Sequence, residues 1–175
     1  MKTELPVSYQ SFKEIDLLHR YTDQLFIGHQ IHLMKKEWED AFGKFEKVFE
    51  FRNQNISDEE ELLIPLYEST LKTIPEGGAV QFFIREHKLI RKNLSKYLSL
   101  LGKKALNPES INLDLVRLFD EYYDLKDLFD HHDARERGFL FPALDENVSA
   151  EERGKLLKTI TMRQNTLLKK WGDIE

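Results

Sequence analysis

A short pattern occurs twice in this chain, and it dictates helices with a polar centre. His132 and Glu136 stand four residues apart, and Pro142 follows six residues after the glutamate; earlier, Asn55, Glu59 and Pro65 repeat the layout. On an α-helix, positions i and i+4 share one face about 6 Å apart, so an imidazole and a carboxylate at this spacing reach a common ion. Each proline marks where its helix bends or ends. A chemical pattern repeated within a helical chain is the pattern of a two-fold metal site inside a bundle.

The rest of the chain supplies the helices. Apolar residues recur at intervals of three and four, and no alternating, strand-like run stands out. Phe12, Ile15, Leu18, Thr22, Leu25 and Phe26 form a first stripe, and Phe42, Phe45, Val48, Phe49 and Arg52 a second. Phe82, Phe83, His87, Ile90, Leu94 and Leu98 form a third, and a fourth runs from Leu113 through Phe119, Leu125 and Phe129 to His132. Leu156, Leu157, Ile160, Leu167 and Leu168 mark the last segment. Breaks fall at Ile74–Gly78, at Asn107–Ser110 and at Asn147–Glu152, where Ser149 three residues before Glu152 is a capping-box signature. The first turn is placed near Lys35-Lys36-Glu37. The predicted helices span roughly 8–34, 37–72, 79–102, 109–145 and 150–171. The expected fold is all-α, an up-down four-helix bundle with an additional C-terminal helix, in one domain over residues 1–175.

Composition narrows the chemistry. There is no cysteine, so disulfides, thiolate metal ligands and a cysteine nucleophile are excluded and any metal is held by nitrogen and oxygen. The formal net charge of -5, with basic residues interspersed among acids, speaks against nucleic acid as a partner. No apolar run approaches the roughly 18 residues that span a bilayer, so no membrane partner is expected. The first residues, Met1–Pro6, lack the apolar core of a secretory signal, and the expected location is cytoplasmic.

Register selects the converging residues. On antiparallel neighbours, residues at one height are equidistant from the connecting turn. His87 and His132 are centred on the Asn107–Ser110 break, and His19 and Asn55 on position 37. His29 and His32 lie about 15 Å or more along the axis from His19, at about 1.5 Å per residue. His19 is therefore the first-helix candidate, with His29 the alternative if the turn lies nearer Gly43. The candidate metal ligands are His19, Glu59, His87, His132 and Glu136. Imidazoles with bridging carboxylates suit iron or manganese, and zinc is compatible.

These residues resemble the hemerythrin-like (HHE cation-binding) family over most of the chain, from about Leu17 to Leu144. The resemblance rests on His131-His132-Asp133-x-Arg135-Glu136-x-x-x-Leu140-Phe141-Pro142-Ala143-Leu144, on Glu59-Glu60-Glu61-Leu62-Leu63-Ile64-Pro65-Leu66-Tyr67 and on Arg85-Glu86-His87-Lys88-Leu89-Ile90. His19-x-x-x-Asp23-x-Leu25-Phe26-Ile27-x-His29-Gln30 supports it on the first helix. It implies a four-helix bundle around a non-heme di-iron centre that binds dioxygen, senses oxygen or iron, or handles nitric oxide and iron–sulfur damage. By the same resemblance, His19 and position 55 belong to one iron, His87 and His132 to the other, and Glu59 and Glu136 bridge them. Asn55 departs from the pattern, because a carboxamide is a poor substitute for imidazole. A mononuclear site at His87, His132 and Glu136, or an asymmetric two-metal site, follows as a hypothesis.

The remaining singled-out residues have plainer readings. His29 and His32 read as packed core histidines, and His131, one position round the helix, as a residue outside the ligand set. Glu60 and Glu61 read as solvated acids able to replace the missing ligand at 55 if the helix rotates slightly. Arg135 and Arg137 read as partners of the acidic surface, the phenylalanine stripe as core, and Tyr67, Tyr122 and Tyr123 as core-edge residues with hydroxyls at solvent. The last helix reads as a cap on the bundle, with a dimer face as the other use of its apolar side. Three function classes follow: a metal protein that binds or senses a small diatomic ligand such as dioxygen or nitric oxide; an enzyme handling peroxide or nitric oxide or aiding cluster repair; and a metal-free interaction module. The absence of a general base, nucleophile or phosphate loop outside the cluster favours binding over turnover. Oligomeric state is not legible.

Overall fold

The computed structural model describes residue 5, residues 8–105 and residues 112–172. Among these every regular element is helical. A 3-10 turn at Phe12–Ile15 leads into α1 (Asp16–Lys35), followed by α2 (Trp38–Asp58), α3 (Ile64–Thr70), α4 (Val80–Ala105), α5 (Asn112–Arg135), α6 (Phe141–Asn147) and α7 (Ala150–Lys170). The expected break at Asn107–Ser110 lies outside the described residues.

α1 ends where predicted. Lys36 adopts a left-handed conformation (φ 62°), its N–H bonds to the Leu33 carbonyl at 3.0 Å, and the Glu37 N–H bonds to the His32 carbonyl at 2.9 Å. This pair of bonds closes the last turn and reverses the chain without a glycine. At α7, the Ser149 hydroxyl accepts from the Glu152 N–H at 3.2 Å, as the capping signature anticipates.

The two prolines neither end nor sharply break their helices. α2 runs into a single π-helical turn at Glu59–Leu63 and on into α3, and α5 does the same through Glu136–Leu140 into α6. In each, a backbone N–H reaches back five residues, from Ile64 to Glu59 and from Phe141 to Glu136. Pro65 and Pro142 follow at the next position, where a helix interior would demand an N–H that proline lacks and a carbonyl its ring would strike. The widened turn relieves both, and each begins at the glutamate of the repeated pattern.

Neighbouring long helices run antiparallel, as the rungs between them show. His19 and His29 of α1 meet Asn55 and Ala41 of α2; Asp23 and His29 meet Lys126 and Tyr122 of α5. Lys96 of α4 meets Glu121 of α5 while His87 stacks edge-on against His132. α7 lies along α2, with Lys170 paired to Glu50 and Arg163 Nη1 2.7 Å from Asp58. Its apolar side, with Leu157, Ile160 and Leu168, is buried within this chain.

Among the described residues two large apolar cores fill the interior, with a smaller cluster of Leu18, Phe51 and Leu168 beside them. One, towards the α1–α2 turn, gathers Phe26, Phe45, Ile90, Leu94, Tyr122 and Phe129; the other gathers Phe12, Ile15, Leu63, Phe83, Leu140 and Phe141. Along each of the four long helical rods, one polar segment falls between them: His19, Asn55 with Glu59, His87, and His132 with Glu136. Phe45, fully buried against Phe26, His29 and Tyr122, belongs to the first core alone. Phe45→Ala should therefore cost about 3–5 kcal/mol of stability in urea unfolding while leaving metal content per folded chain unchanged.

Candidate metal centre

The polar layer brings Glu59, His87, His132 and Glu136 together, all buried, with one ligand atom of each within 4.8 Å of the others. His87 Nε2 lies 2.9 Å from Glu59 Oε2, and His132 Nε2 lies 3.2 Å from Glu136 Oε1 and 3.7 Å from Glu59 Oε2. None of these four inward atoms, nor Glu136 Oε2, makes a hydrogen bond, although all are shielded from water. Buried polar atoms left without partners are costly, and imidazole nitrogens and carboxylate oxygens converging without hydrogen bonds to one another fit a shared cation. Two imidazole nitrogens and two carboxylate oxygens suit iron, manganese or zinc.

His19 reaches the same cluster through the other oxygen of Glu136, its Nε2 3.3 Å from Oε2. With Asp133 and Glu136 it forms a second buried donor group. Asn55 stands between His19 and Glu59, its Nδ2 3.1 Å from His19 Nε2 and donating to Glu59 Oε1.

Each histidine turns its other nitrogen to a carboxylate. His87 Nδ1 is 3.0 Å from Glu60, His132 Nδ1 is 3.3 Å from Glu86, and His19 Nδ1 faces Asp133 at 3.6 Å and Asp16 at 3.8 Å. An ionised carboxylate only accepts, so Nδ1 of His87 and His132 carries a proton, and with a cation bound the Nε2 lone pairs would be free to point inward to it. Arginines back the carboxylates in turn: Arg91 with Glu60 at 3.3 Å, Arg135 with Glu86 at 3.0 Å, and Arg52 with Asp133 at 2.7 Å. Arg52 is itself buried, its guanidinium over the Phe129 ring. Arg137 and Arg20 hold Asp16, both at 2.8 Å.

Several readings change here. Glu60 is not a free solvated acid but the partner of His87, and Arg135 serves Glu86 rather than the outer surface. Glu61 does sit at the surface, paired with Arg163 at 2.9 Å. His29 is not a ligand candidate: it is held in the first core, Nδ1 on the Ala41 carbonyl at 2.6 Å and Nε2 on the Tyr122 hydroxyl at 2.9 Å. Burial pushes its pKa down to about 4, keeping it neutral. His32 pairs with Glu37 near the surface, and His131 is exposed. Tyr67 and Tyr122 are buried rather than at the core edge, whereas Tyr123 is exposed.

Glu86, Asp133, Asp16 and Arg52 escaped the sequence reading. One signal was present: Arg52 falls on an apolar stripe, where a charged residue must find a buried partner. Glu86 and Asp133 also adjoin His87 and His132, which pointed to them only once the cross-helix register was known. Comparison with family models, with curated proteins and with solved structures finds no match to this chain.

Protons occupy the cluster when no cation does. Burial, reinforced by the negative charge of Glu59, pushes the Glu136 carboxyl up to about 7. Burial works against the His132 imidazolium, but Glu136, Glu59 and Glu86 outweigh it and hold its pKa well above the usual value. Both groups thus have folded-state pKa values above their unfolded ones. The stability they lend the metal-free fold is full at low pH and is lost as pH rises, for Glu136 between its ordinary 4.5 and about 7. A cation displaces these protons, so the gap in Tm between metal-loaded and chelator-stripped protein should widen from about pH 5.5 to 8. A constant or narrowing gap in differential scanning calorimetry would contradict this assignment. Because Glu86 orients His132, Glu86→Gln should weaken metal affinity by about 10–100-fold in chelator competition.

Proposed function

We propose that this protein is a hemerythrin-like non-heme iron protein, an up-down four-helix bundle with an added C-terminal helix, that binds or senses a small ligand such as dioxygen or nitric oxide. The observation that carries the reading is the convergence of unpartnered His87 Nε2, His132 Nε2, Glu59 Oε2 and Glu136 Oε1 in a water-shielded layer. The antiparallel rungs between neighbouring helices and the repeated pattern at the two π turns support the bundle and its relation to that family. Inward Glu and His from facing helices are how such bundles hold iron.

His87, His132, Glu59 and Glu136 would hold the metal, and redox-active iron would supply open positions where a small molecule binds. The chain's own contribution is to orient and to insulate. Glu60 and Glu86 fix the two imidazoles, the π turns set the two glutamates, and the flanking apolar cores keep bulk water from the cluster. Binding rather than turnover is favoured because the acids and bases around the centre are already engaged: Glu60 with His87 and Arg91, Glu86 with His132 and Arg135, Asp133 with Arg52.

Protein produced in iron-rich medium should contain iron by elemental analysis and show near-ultraviolet absorption that shifts with azide or on reduction. His132→Ala should lose the metal and the absorption while remaining helical by circular dichroism. A colourless wild-type protein that takes up neither iron nor manganese would sink the proposal and leave the interaction-module reading.

A further inference from the structure

Resting on that reading, we infer that the centre takes one metal ion per chain, held by Glu59 Oε2, His87, His132 and Glu136 Oε1, and that the Asn55 carboxamide takes the place of a second ion. The residues fit one cation and do not fit two. Beside the first donor group, an ion shared by His19, Glu59 and Glu136 would have to sit where Asn55 Nδ2 now meets His19 Nε2 at 3.1 Å and donates to Glu59 Oε1. An amide N–H is a donor, and a donor directed at an acceptor lone pair competes with a cation for it. Asn55 thus satisfies one oxygen of Glu59, and the other, Oε2, is left without a partner and faces His87.

The remaining acid on that side is also engaged. Asp133 completes the second donor group with His19 and Glu136, but it is held bidentately by Arg52 at 2.7 and 3.1 Å, in a pair almost wholly buried. Charge then decides. Glu59 and Glu136 together neutralise one divalent ion; a second would stand uncompensated in a dry site beside the Arg52 guanidinium, where desolvated charge is most costly. The chain has replaced the second ion's charge with a buried arginine and its coordination with a carboxamide.

Stripped protein reloaded anaerobically with Mn(II) tests this without recourse to activity. Wild type should titrate to one ion per chain by calorimetry and elemental analysis, and its electron paramagnetic resonance spectrum should show the six-line signal of isolated Mn(II). Asn55→His should raise the stoichiometry to two and replace much of that signal with the broadened spectrum of a coupled pair. Asn55→Ala, which removes the amide without adding a ligand, should still bind one ion with affinity within about threefold of wild type. Two ions in wild type, or a coupled spectrum, overturns the inference and leaves the metal-protein reading standing. No ion in wild type overturns both. An Asn55→His protein that is helical yet still binds one ion overturns the role given to Asn55, as does loss of the ion in a folded Asn55→Ala.

Discussion

Placing ionised side chains between two apolar cores is the constraint around which this molecule is organised. A carboxylate or imidazolium moved out of water costs several kcal/mol unless opposite charge and hydrogen bonds surround it. Here that requirement propagates outward. Glu59 and Glu136 need cations or protons; the histidines that share them need carboxylates on Nδ1; those carboxylates need arginines. Glu60, Glu86 and Asp133, with Arg91, Arg135 and Arg52, form the resulting shells. The helices can be apolar above and below this layer because the layer closes its own electrostatics.

The backbone answers the same demand. A regular helix carrying Glu59 or Glu136 inward would meet Pro65 or Pro142 with a missing donor and a steric clash. A π turn placed between glutamate and proline resolves the conflict within one turn. The rod then continues, so that Leu63 and Leu140 enter the second core while the glutamates stay in the layer. The same local chemistry at two places gives the same π turn twice, at Glu59–Leu63 and Glu136–Leu140. The asymmetry enters through two side chains: Asn55, at the pattern position that His132 holds in the other repeat, and Arg52, which faces Asp133.

Much of this was legible beforehand, and for identifiable reasons. Helix existence followed from apolar spacing, and the pairing of His19 with Asn55 followed from a turn placed near Lys35-Lys36-Glu37. The α7 start followed from Ser149 and Glu152, because capping is a local hydrogen bond written into adjacent residues. His132 and Glu136 announced themselves because i and i+4 share a helix face whatever the rest of the chain does. The π turns were not legible: proline says that a helix cannot continue unmodified, and does not say whether it stops, kinks or widens. Nor were Glu86, Asp133 and Arg52, whose roles depend on which side chains stand across a helix gap. His29 shows the converse. Its spacing made it a possible ligand, and only the nearness of the Ala41 carbonyl and the Tyr122 hydroxyl made it a satisfied core residue.

The sequence by itself determined the helical class, the local face shared by His132 and Glu136 and the break in symmetry at Asn55. These are short-range properties, set by periodicity, capping and residue type. Tertiary structure alone decided which carboxylate serves which imidazole, that Arg52 rather than solvent neutralises Asp133, and that the Asn55 amide points at Glu59 and His19. Those outcomes depend on helix rotation and on distances of about 3 Å across the bundle, the range over which hydrogen bonds form. A change of one rotamer or a fraction of a turn would give the same sequence pattern a different set of partners.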